Sequence, residues 1–414
     1  MNHTLRKDAD FIISESIKAV LPDEAVRRAL SEYRGGSGKT FLVAVGKASW
    51  QMAKTASEAL GHVDGGIVIT KYGHIKGEIP HVTCYEAGHP VPDENSFYAT
   101  EKVLELVSGL TKSDTVIFLL SGGGSALFEK PLISADELRF ITQQLLSCGA
   151  NIVEINTIRK RLSAVKGGKF ALACAPAKVF SIVLSDIIGD PLDMIASGPA
   201  YADSSTCDEA KAIVAKYNLK LSREAMALLE KDTPKVLNNV TTQISGSVKE
   251  LCTATATACK RLGYEPIFLT DRLDCEAREA GRFLGDILLS HVGCTKNLAF
   301  IAGGETVVHL TGNGLGGRNQ EICLSAAPVI EGIEGACVFS VGSDGTDGPT
   351  DAAGGYVDSD TNKKLKNSGI NVFTALQNND AYHALKAVGG LIITGPTGTN
   401  VNDVSVALLK GKDF

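Results

Sequence analysis

Short apolar runs recur along the chain, each ends in glycine or a polar residue, and a helical stretch follows most of them. Most of the runs lack the alternation of apolar and polar residues that marks a half-exposed strand, so they are typical of strands buried on both faces. Their alternation with helices predicts a parallel, doubly wound α/β sheet. The predicted strands are 41–45, 66–70, 115–120, 179–184, 266–269, 298–302, 338–341 and 391–394.

The length of 414 residues is enough for two or three domains of roughly 100–200 residues each. The stretch 220–246 turns polar towards its end, contains Pro234 and the pair Asn238-Asn239, and separates two strand–helix blocks. We therefore expect one α/β domain over 1–240 and a smaller α/β domain over 241–414.

Charge and composition exclude several classes of protein. Lys and Arg number 41 against 47 Asp and Glu, and the net charge of −6 argues against sequence-independent binding of nucleic acid. No apolar run reaches about 18 residues, so no membrane-spanning helix is expected. The ten cysteines include no Cys-x-x-Cys pair, which fits neither a disulfide framework nor a zinc site and predicts a reducing, cytoplasmic location.

Ligands of open parallel sheets bind beyond the carboxyl ends of the strands, so the residues that follow each strand are the candidates for a site. Here they include glycines, hydroxyls, carboxylates and one lysine, Lys47, a set that suits a phosphorylated ligand with a divalent cation. Glycine turns at strand ends are common in all α/β proteins, but that alternative explains six polar loops poorly. These loops begin at Gly46, Ser121, Ser185, Gly303, Gly342 and Gly395.

The loop after the strand 115–120 is the best candidate cradle for an anion. Its glycines expose backbone N–H groups, and a helix predicted to begin near Ser125 would add its dipole. A tight structural turn is the alternative. The loop residues are Ser121, Gly122, Gly123, Gly124 and Ser125.

Two basic segments could also meet an anion. The stretch 156–169 carries five basic residues in an acidic protein, and Arg159, Leu162 and Lys166 would share one face of a helix. Its alternative is a solvated basic face. Arg318, in the glycine-rich stretch 312–321, could clamp a phosphate or a carboxylate with two N–H groups, or could merely cap a helix.

Two motifs imitate nucleotide sites. The stretch 35–40 ends like a P-loop, but Tyr33 occupies the place of its first glycine and the strand follows the segment instead of preceding it. Gly312-x-Gly314-x-x-Gly317 is a formal dinucleotide fingerprint after a possible strand at 307–310, although the next strand's acid, Asp344, lies 27 residues beyond Gly317. This weak match supports a nicotinamide-dependent dehydrogenase as the second hypothesis for the function.

Nine segments, taken together, resemble the glycerate 2-kinase family, the class II glycerate kinases, some of which have been labelled hydroxypyruvate reductases. They run nearly end to end in the family's order, and their combination is far more specific than any one of them. The segments are VGKAS at 45–49, LSGGGSAL at 120–127, NTIRK at 156–160, KGG at 166–168, SDIIGD at 185–190, IASGP at 195–199, GGET at 303–306, GGRNQE at 316–321 and SDGTDGPTDAAG at 343–354.

The resemblance implies a Rossmann-like first domain, a smaller and possibly mixed α/β second domain, and an active site in the cleft between them. It implies the reaction of ATP with D-glycerate to give ADP and 2-phosphoglycerate, with Mg²⁺ or a similar cation. The family's catalytic residues would map to Lys47 and Arg318, with Asp351 nearby. Since Mg²⁺ usually takes one or two carboxylates, its candidate ligands are Asp186, Asp190, Glu305, Asp344 and Asp347.

Three hypotheses therefore stand after the sequence. The first is a glycerate 2-kinase, a monomer or homodimer that binds glycerate and ATP and neither nucleic acid nor membrane. The second is a nicotinamide-dependent hydroxypyruvate reductase. The third is a regulator that binds a sugar phosphate or a nucleotide without turnover. The sequence leaves open whether the loop at Ser121–Ser125, together with Arg159 and Lys166, holds nucleotide phosphates or the glycerate carboxylate.

Overall fold

The computed structural model of the protein describes residues 3–189 and 191–412, which form two compact units. The described residues of the first unit are 25–185 and 191–245, and those of the second unit are 3–24, 186–189 and 246–412. The N-terminal helix α1 (His3–Ala19) thus belongs to the second unit, whereas the sequence analysis counts it with the first domain. The expected position of the active site between the two domains stays a prediction.

The first unit is built on a six-stranded sheet. The strand order is β3-β2-β1-β4-β5-β6, which is the Rossmann order. The pairs β1–β2, β1–β4, β2–β3 and β4–β5 are all parallel, so the chain crosses back over the sheet before each pairing. The strands are β1 (Thr40–Val45), β2 (Gly65–Lys71), β3 (Val82–Ala87), β4 (Thr115–Leu120), β5 (Lys178–Leu184) and β6 (Val240–Gly246).

Burial of the central strands fixes the sheet of the first unit. All six residues of β4 are buried, as expected for a strand covered by helices on both faces. Leu42 of β1 and Ile117 of β4 pack in one core cluster with Met52. The helices are α2 (Pro22–Ser31), α3 (Ser49–Leu60), α4 (Glu94–Leu106), α5 (Gly124–Leu127), α6 (Ala135–Ser147), α7 (Ile152–Leu162), α8 (Lys169–Cys174), α9 (Cys207–Tyr217) and α10 (Arg223–Leu229).

The second unit has a mixed sheet of order β11-β10-β9-β12-β8-β7. Strands β7 and β8 are parallel, and β12 runs antiparallel between β8 and β9. The strands are β7 (Glu265–Leu273), β8 (Leu298–Gly304), β9 (Ala336–Gly342), β10 (Gly354–Asp358), β11 (Leu391–Ile392) and β12 (Asp403–Leu409). The helices are α11 (Val248–Arg261), α12 (Ala277–Ser290), α13 (Arg318–Ala326), α14 (Thr361–Asn367), α15 (Val372–Gln377) and α16 (Ala381–Ala387).

Helix α1 joins the second unit through its apolar face. Leu5, Ile12 and Ile17 lie in one buried cluster with Leu251 of α11 and Phe339 of β9. Since each isoleucine or leucine side chain gains roughly 1.5–3 kcal/mol from full burial, this face is enough to hold the helix against the sheet.

The α/β class, the Rossmann-like first sheet and the mixed second sheet are confirmed. The possible strand at 307–310 is not formed, because Val307 makes only an isolated bridge to Glu276. All ten cysteines are free. Within residues 3–189 and 191–412, no helix has both the length and the apolar character that crossing a membrane requires.

Candidate active site

In the first unit, the loop after β1 places Lys47 at the carboxyl edge of the sheet. Gly46 has φ of +121°, and a Cβ there would lie 2.2 Å from Ser121 Oγ, so only glycine lets the two loops pass this closely. Lys47 N donates to Gly122 O at 2.9 Å, and Ala48 N donates to Ser121 Oγ at 3.1 Å. The loops after β1 and β4 are therefore joined, with the Lys47 side chain exposed beside them.

The glycine loop presents a set of unused backbone donors. Within the described part of the chain, the N–H groups of Gly122, Gly123, Gly124 and Ser125 have no hydrogen-bond acceptor. Gly123 adopts φ of +88°, which turns the chain into the single helical turn α5. Consecutive free N–H groups in such a turn form a concavity that favours an anion. The Ser121 hydroxyl, in contrast, is buried and serves to hold the β1 loop.

Lysine and histidine side chains lie near this loop. Lys71, at the end of β2, and Lys47 form no ion pair within residues 3–189 and 191–412, which leaves two cations unneutralised in an acidic protein. His74 donates from Nδ1 to Lys47 O at 3.0 Å. Burial lowers the pKa of His89, and the charges of Lys47, Lys71 and His74 lower it further. The edge is thus suited to an anionic ligand.

Arg159 and Lys166 contact the same main-chain oxygen, that of Ser125, but they do not share one helix face. Helix α7 ends at Leu162, because Ser163 is extended with φ −112° and ψ 146°. Lys166 is fully buried and donates from Nζ to Ser125 O at 2.8 Å and to Phe128 O at 2.9 Å, while Arg159 donates to Ser125 O at 2.9 Å.

Both cations therefore support the end of α5 from inside the protein. The buried carboxylate of Glu129 lies 3.4 Å from Lys166 Nζ and 3.6 Å from the Arg159 guanidinium. Burial lowers the pKa of Lys166 to about 8. A direct contact of the Lys166 ammonium with a ligand would require it to leave these carbonyl oxygens.

A strained turn backs the same loop. Ala196, Ser197 and Gly198 adopt φ of +50°, +62° and +66°, and each non-glycine residue in this region costs on the order of 1 kcal/mol. Ser197 Oγ donates to Asn156 Oδ1 at 2.9 Å and lies 3.2 Å from Ser125 Oγ. Sequence reasoning did not single out Ser197, although the segment that contains it was part of the resemblance.

We expect Lys166→Met to lower the free energy of unfolding by on the order of 3 kcal/mol, because it leaves Glu129 buried without one of its two cations. Urea titration measures the change. The double variant Lys166→Met/Glu129→Gln, which removes the stranded charge, is expected to recover part of the loss. Equal stability of Lys166→Met and the wild type would contradict the supporting role.

In the second unit, Arg318 is paired with Asp403, the first residue of β12. Asp403 pairs in register with Gly304 at the end of β8 and with Gly342 at the end of β9, so the start of β12 lies at their carboxyl edge. Arg318 donates from Nε and Nη2 to Asp403 at 2.5 and 3.1 Å, and from Nη1 to Glu305 at 2.7 Å. Asp403 is only 5% exposed, and burial raises its pKa to about 7.

The N-terminus of α13 is held by Asp347. Its carboxylate accepts from the N–H groups of Asn319 at 3.1 Å and Gln320 at 2.9 Å, and a Cβ on Gly317 would lie 2.3 Å from its Cγ. Arg318 is the first residue of this helix, so capping fixes its backbone while Asp403 fixes its side chain. Burial raises the pKa of Asp347. These contacts give Asp347 a structural role.

The predicted metal ligands gather only in part. Glu305 accepts from Asn402 Nδ2 at 3.0 Å, and the same amide donates to the main-chain oxygen of Asp186 at 3.2 Å. Asp344 accepts from Thr346 N at 2.9 Å. Asp190 lies outside the described residues. Over 3–189 and 191–412, no group of three or more His, Cys, Asp or Glu side chains is arranged to hold a metal ion.

Asp351, which the resemblance places near the catalytic residues, lies in the second unit. Asp351 is exposed and accepts from the Tyr382 hydroxyl at 2.8 Å, so its carboxylate is oriented by α16.

The glycines of the apparent dinucleotide fingerprint follow no strand. A Cβ on Gly312 would lie 2.4 Å from Asn378 Cα, and one on Gly314 would lie 2.5 Å from Asn378 O. These two glycines permit close packing of two loops and do not mark a dinucleotide site.

Asp403 and Asn402 are the residues that sequence reasoning missed. The available signal was the apolar run after Asp403, which predicts a buried strand that begins near this residue. Asn402 adopts φ of +65°, and its buried Oδ1 has no hydrogen-bond partner among the described residues. His89 was also passed over, because the histidines were judged only as possible metal ligands.

Comparison with known proteins places the chain in one family. Residues 8–230 match a family model described as Domain of unknown function (DUF4147), and residues 298–403 match the MOFRL family. The chain is 52% identical over 413 residues to the D-glycerate 2-kinase of Thermotoga maritima, covering 98% of this chain and 99% of that protein.

A further relative and a solved structure are also similar to this chain. A provisionally named hydroxypyruvate reductase of Agrobacterium vitis is 40% identical, with 90% of this chain and 87% of that protein covered. The crystal structure of glycerate kinase from Thermotoga maritima superposes with a TM-score of 0.95 at 52% identity, covering 98% of this chain and 99% of that one. With full-length identity at this level and the same fold throughout, the chain belongs to the glycerate 2-kinase family.

Proposed function

We propose that the protein transfers the γ-phosphoryl group of ATP to the 2-hydroxyl of D-glycerate and releases ADP and 2-phosphoglycerate. One observation carries the proposal: the exposed Lys47 side chain borders Gly123, in a loop whose four consecutive N–H groups, from Gly122 to Ser125, lack acceptors within the described residues. Such an arrangement binds a phosphoryl group or a carboxylate. The full-length relative named D-glycerate 2-kinase supports the choice of substrate.

Phosphoryl transfer needs positioning and neutralisation of charge more than covalent chemistry from the protein. Lys47 and the glycine loop supply positive charge and N–H donors to either the transferred phosphoryl group or the glycerate carboxylate. Arg318 supplies a second cation. Its side chain is 33% exposed, and Asp403 and Glu305 occupy three of its five N–H donors. The remaining two N–H groups are available to phosphate oxygens.

The carboxylates of the second unit fit a magnesium ion that is held mainly by the nucleotide. Asp344 Oδ2 has no hydrogen bond within the described residues, whereas both oxygens of Glu305 are already in use. Mg²⁺ commonly takes one or two protein carboxylates together with phosphate oxygens and water. We propose Asp344 first and Glu305 second as its ligands. The bound ion would neutralise phosphate charge.

Activity is expected to require Mg²⁺ and to disappear with excess EDTA, because ATP phosphates without the cation would repel the approaching glycerate oxygen. The melting temperature should stay within about one degree, since the described residues contain no metal-ligand cluster on which folding could depend. Coupled assay of ADP release with and without EDTA, alongside thermal melts of the same samples, checks both halves. Full turnover in EDTA would contradict the expected requirement for Mg²⁺.

The proposed reaction is tested by identifying its product. Incubation with D-glycerate, ATP and Mg²⁺ should give 2-phosphoglycerate by phosphorus NMR, which separates it from 3-phosphoglycerate through proton coupling. The alternative, a hydroxypyruvate reductase, predicts oxidation of NADH by hydroxypyruvate instead. Binding of ATP or glycerate without either product would point to a regulator. The unformed strand before Gly312 argues against the reductase.

We also propose a cytoplasmic location, supported by ten free cysteines, which a reducing compartment maintains. Light scattering at working concentration would decide between the expected monomer and homodimer.

A further inference from the structure

His89 lies in a turn whose shape is fixed by its neighbours. It follows the end of β3 by two residues, at the carboxyl edge of the first sheet. The carboxylate of Asp93 accepts from the N–H groups of Gly88 and Ser96 and from the Tyr72 hydroxyl at 2.6 Å. The backbone on both sides of His89 is therefore anchored to the start of α4.

The His89 imidazole lies against the glycine loop. A Cβ built on Gly123 would lie 3.0 Å from His89 Cδ2, 3.1 Å from His89 Nε2 and 3.3 Å from Lys47 Cγ. The imidazole and the stem of Lys47 thus border the same loop residue, next to the unused N–H groups. Within residues 3–189 and 191–412, neither ring nitrogen of His89 has a hydrogen-bond partner.

The surroundings favour the neutral form of the ring. Burial lowers the pKa of His89, and three positive or ionisable groups add to this: Lys47 after β1, Lys71 at the end of β2 and His74 in the turn that follows. The loop from Gly122 to Ser125 contributes no ionisable side chain. A neutral imidazole with a free nitrogen can accept a proton at physiological pH.

We propose that His89 Nε2 accepts the proton of the glycerate 2-hydroxyl during phosphoryl transfer, an inference that rests on the proposed function. As the hydroxyl oxygen forms its bond to the γ-phosphorus, the bond from that phosphorus to the bridging oxygen breaks and ADP leaves with the electron pair. The proton passes to Nε2 and then to solvent after the products depart.

The proposal does not depend on which ligand the glycine loop holds. If the loop binds the γ-phosphoryl group, the attacking hydroxyl must approach that group. If the loop binds the glycerate carboxylate, the hydroxyl is on the adjacent carbon. In both arrangements the reacting oxygen lies beside the loop residue Gly123 that His89 contacts.

The test uses His89→Ala in the full-length protein. We expect kcat to fall by about 10²-fold, a usual contribution of a general base, while KM for glycerate and ATP changes less than about threefold. Added imidazole should restore turnover by about tenfold or more, and substituted imidazoles should rescue more strongly as the pKa of their free base rises. If His89 had only a structural role, the turnover of His89→Ala would not depend on the pKa of the added imidazole.

His62→Ala is the matched control, because His62 is exposed and lies just before the amino end of β2. It should retain wild-type kcat. A kcat for His89→Ala within threefold of wild type, or a loss that no imidazole repairs, would overturn the proposal. If that variant unfolds in a thermal melt, His89→Gln takes its place, and wild-type kcat there would equally overturn it. Absence of 2-phosphoglycerate with the wild-type protein would instead refute the proposed function itself.

Discussion

Lys47→Ala is expected to lower kcat by about 10²-fold or more, as removal of one preorganised charge donor commonly does. The side chain is exposed and makes no ion pair within the described residues, so its loss should leave the melting temperature unchanged. Steady-state kinetics with D-glycerate and ATP, together with a thermal melt, measure both quantities.

Lys112→Ala is the control for this variant. Lys112 is an exposed lysine near the opposite, amino end of β4, so it should keep wild-type activity. Activity of Lys47→Ala within threefold of wild type would remove Lys47 from the site.

Arg318→Lys is expected to lower kcat by about 10²-fold and also to destabilise the protein by on the order of 3 kcal/mol. A lysine ammonium cannot reproduce the two parallel N–H bonds to Asp403 and the third to Glu305. The carboxylate of Asp403 would then stay buried with an incomplete partner. Urea titration and steady-state kinetics on one preparation measure the two effects.

The double variant Arg318→Lys/Asp403→Asn separates the two roles. Asparagine carries no charge that needs a cation, so stability should recover relative to Arg318→Lys, while kcat should stay low because the guanidinium is still absent. Near-normal kinetics in the single variant, with only a lower melting temperature, would reduce Arg318 to a structural cap.

Buried strands were the most predictable part of the fold. The apolar runs within β1, β4 and β8 have no polar residue to interrupt them, so their burial on two faces is visible in the sequence. Strand β3 was missed because its residues, Val-Thr-Cys-Tyr-Glu-Ala, are mostly half-exposed. Strand β10 was missed because it begins with two glycines, which ordinarily indicate a turn.

The candidate site was predictable where one loop suffices and unpredictable where side chains meet across the chain. Glycine content alone was enough to single out Gly122–Ser125 as a candidate anion cradle, and this role stays a prediction. The contact of Arg318 with Asp403 joins residues 85 positions apart and depends on the antiparallel placement of β12, which no local pattern reveals. Lys166, a candidate ligand contact from its place beside a glycine pair, is fully buried and donates to main-chain oxygens, a placement that no local pattern reveals.

The membership of α1 in the second unit has a consequence for biosynthesis. Its apolar face is synthesised before the first unit, but its partners on α11 and β9 emerge only after all of residues 25–245. The first unit is contiguous enough to fold while the chain is still growing, whereas the second must wait until β12 has been made. During this interval the segment that begins with Leu5 carries an uncovered apolar surface, and we expect it to be a principal binding site for chaperones on the nascent chain.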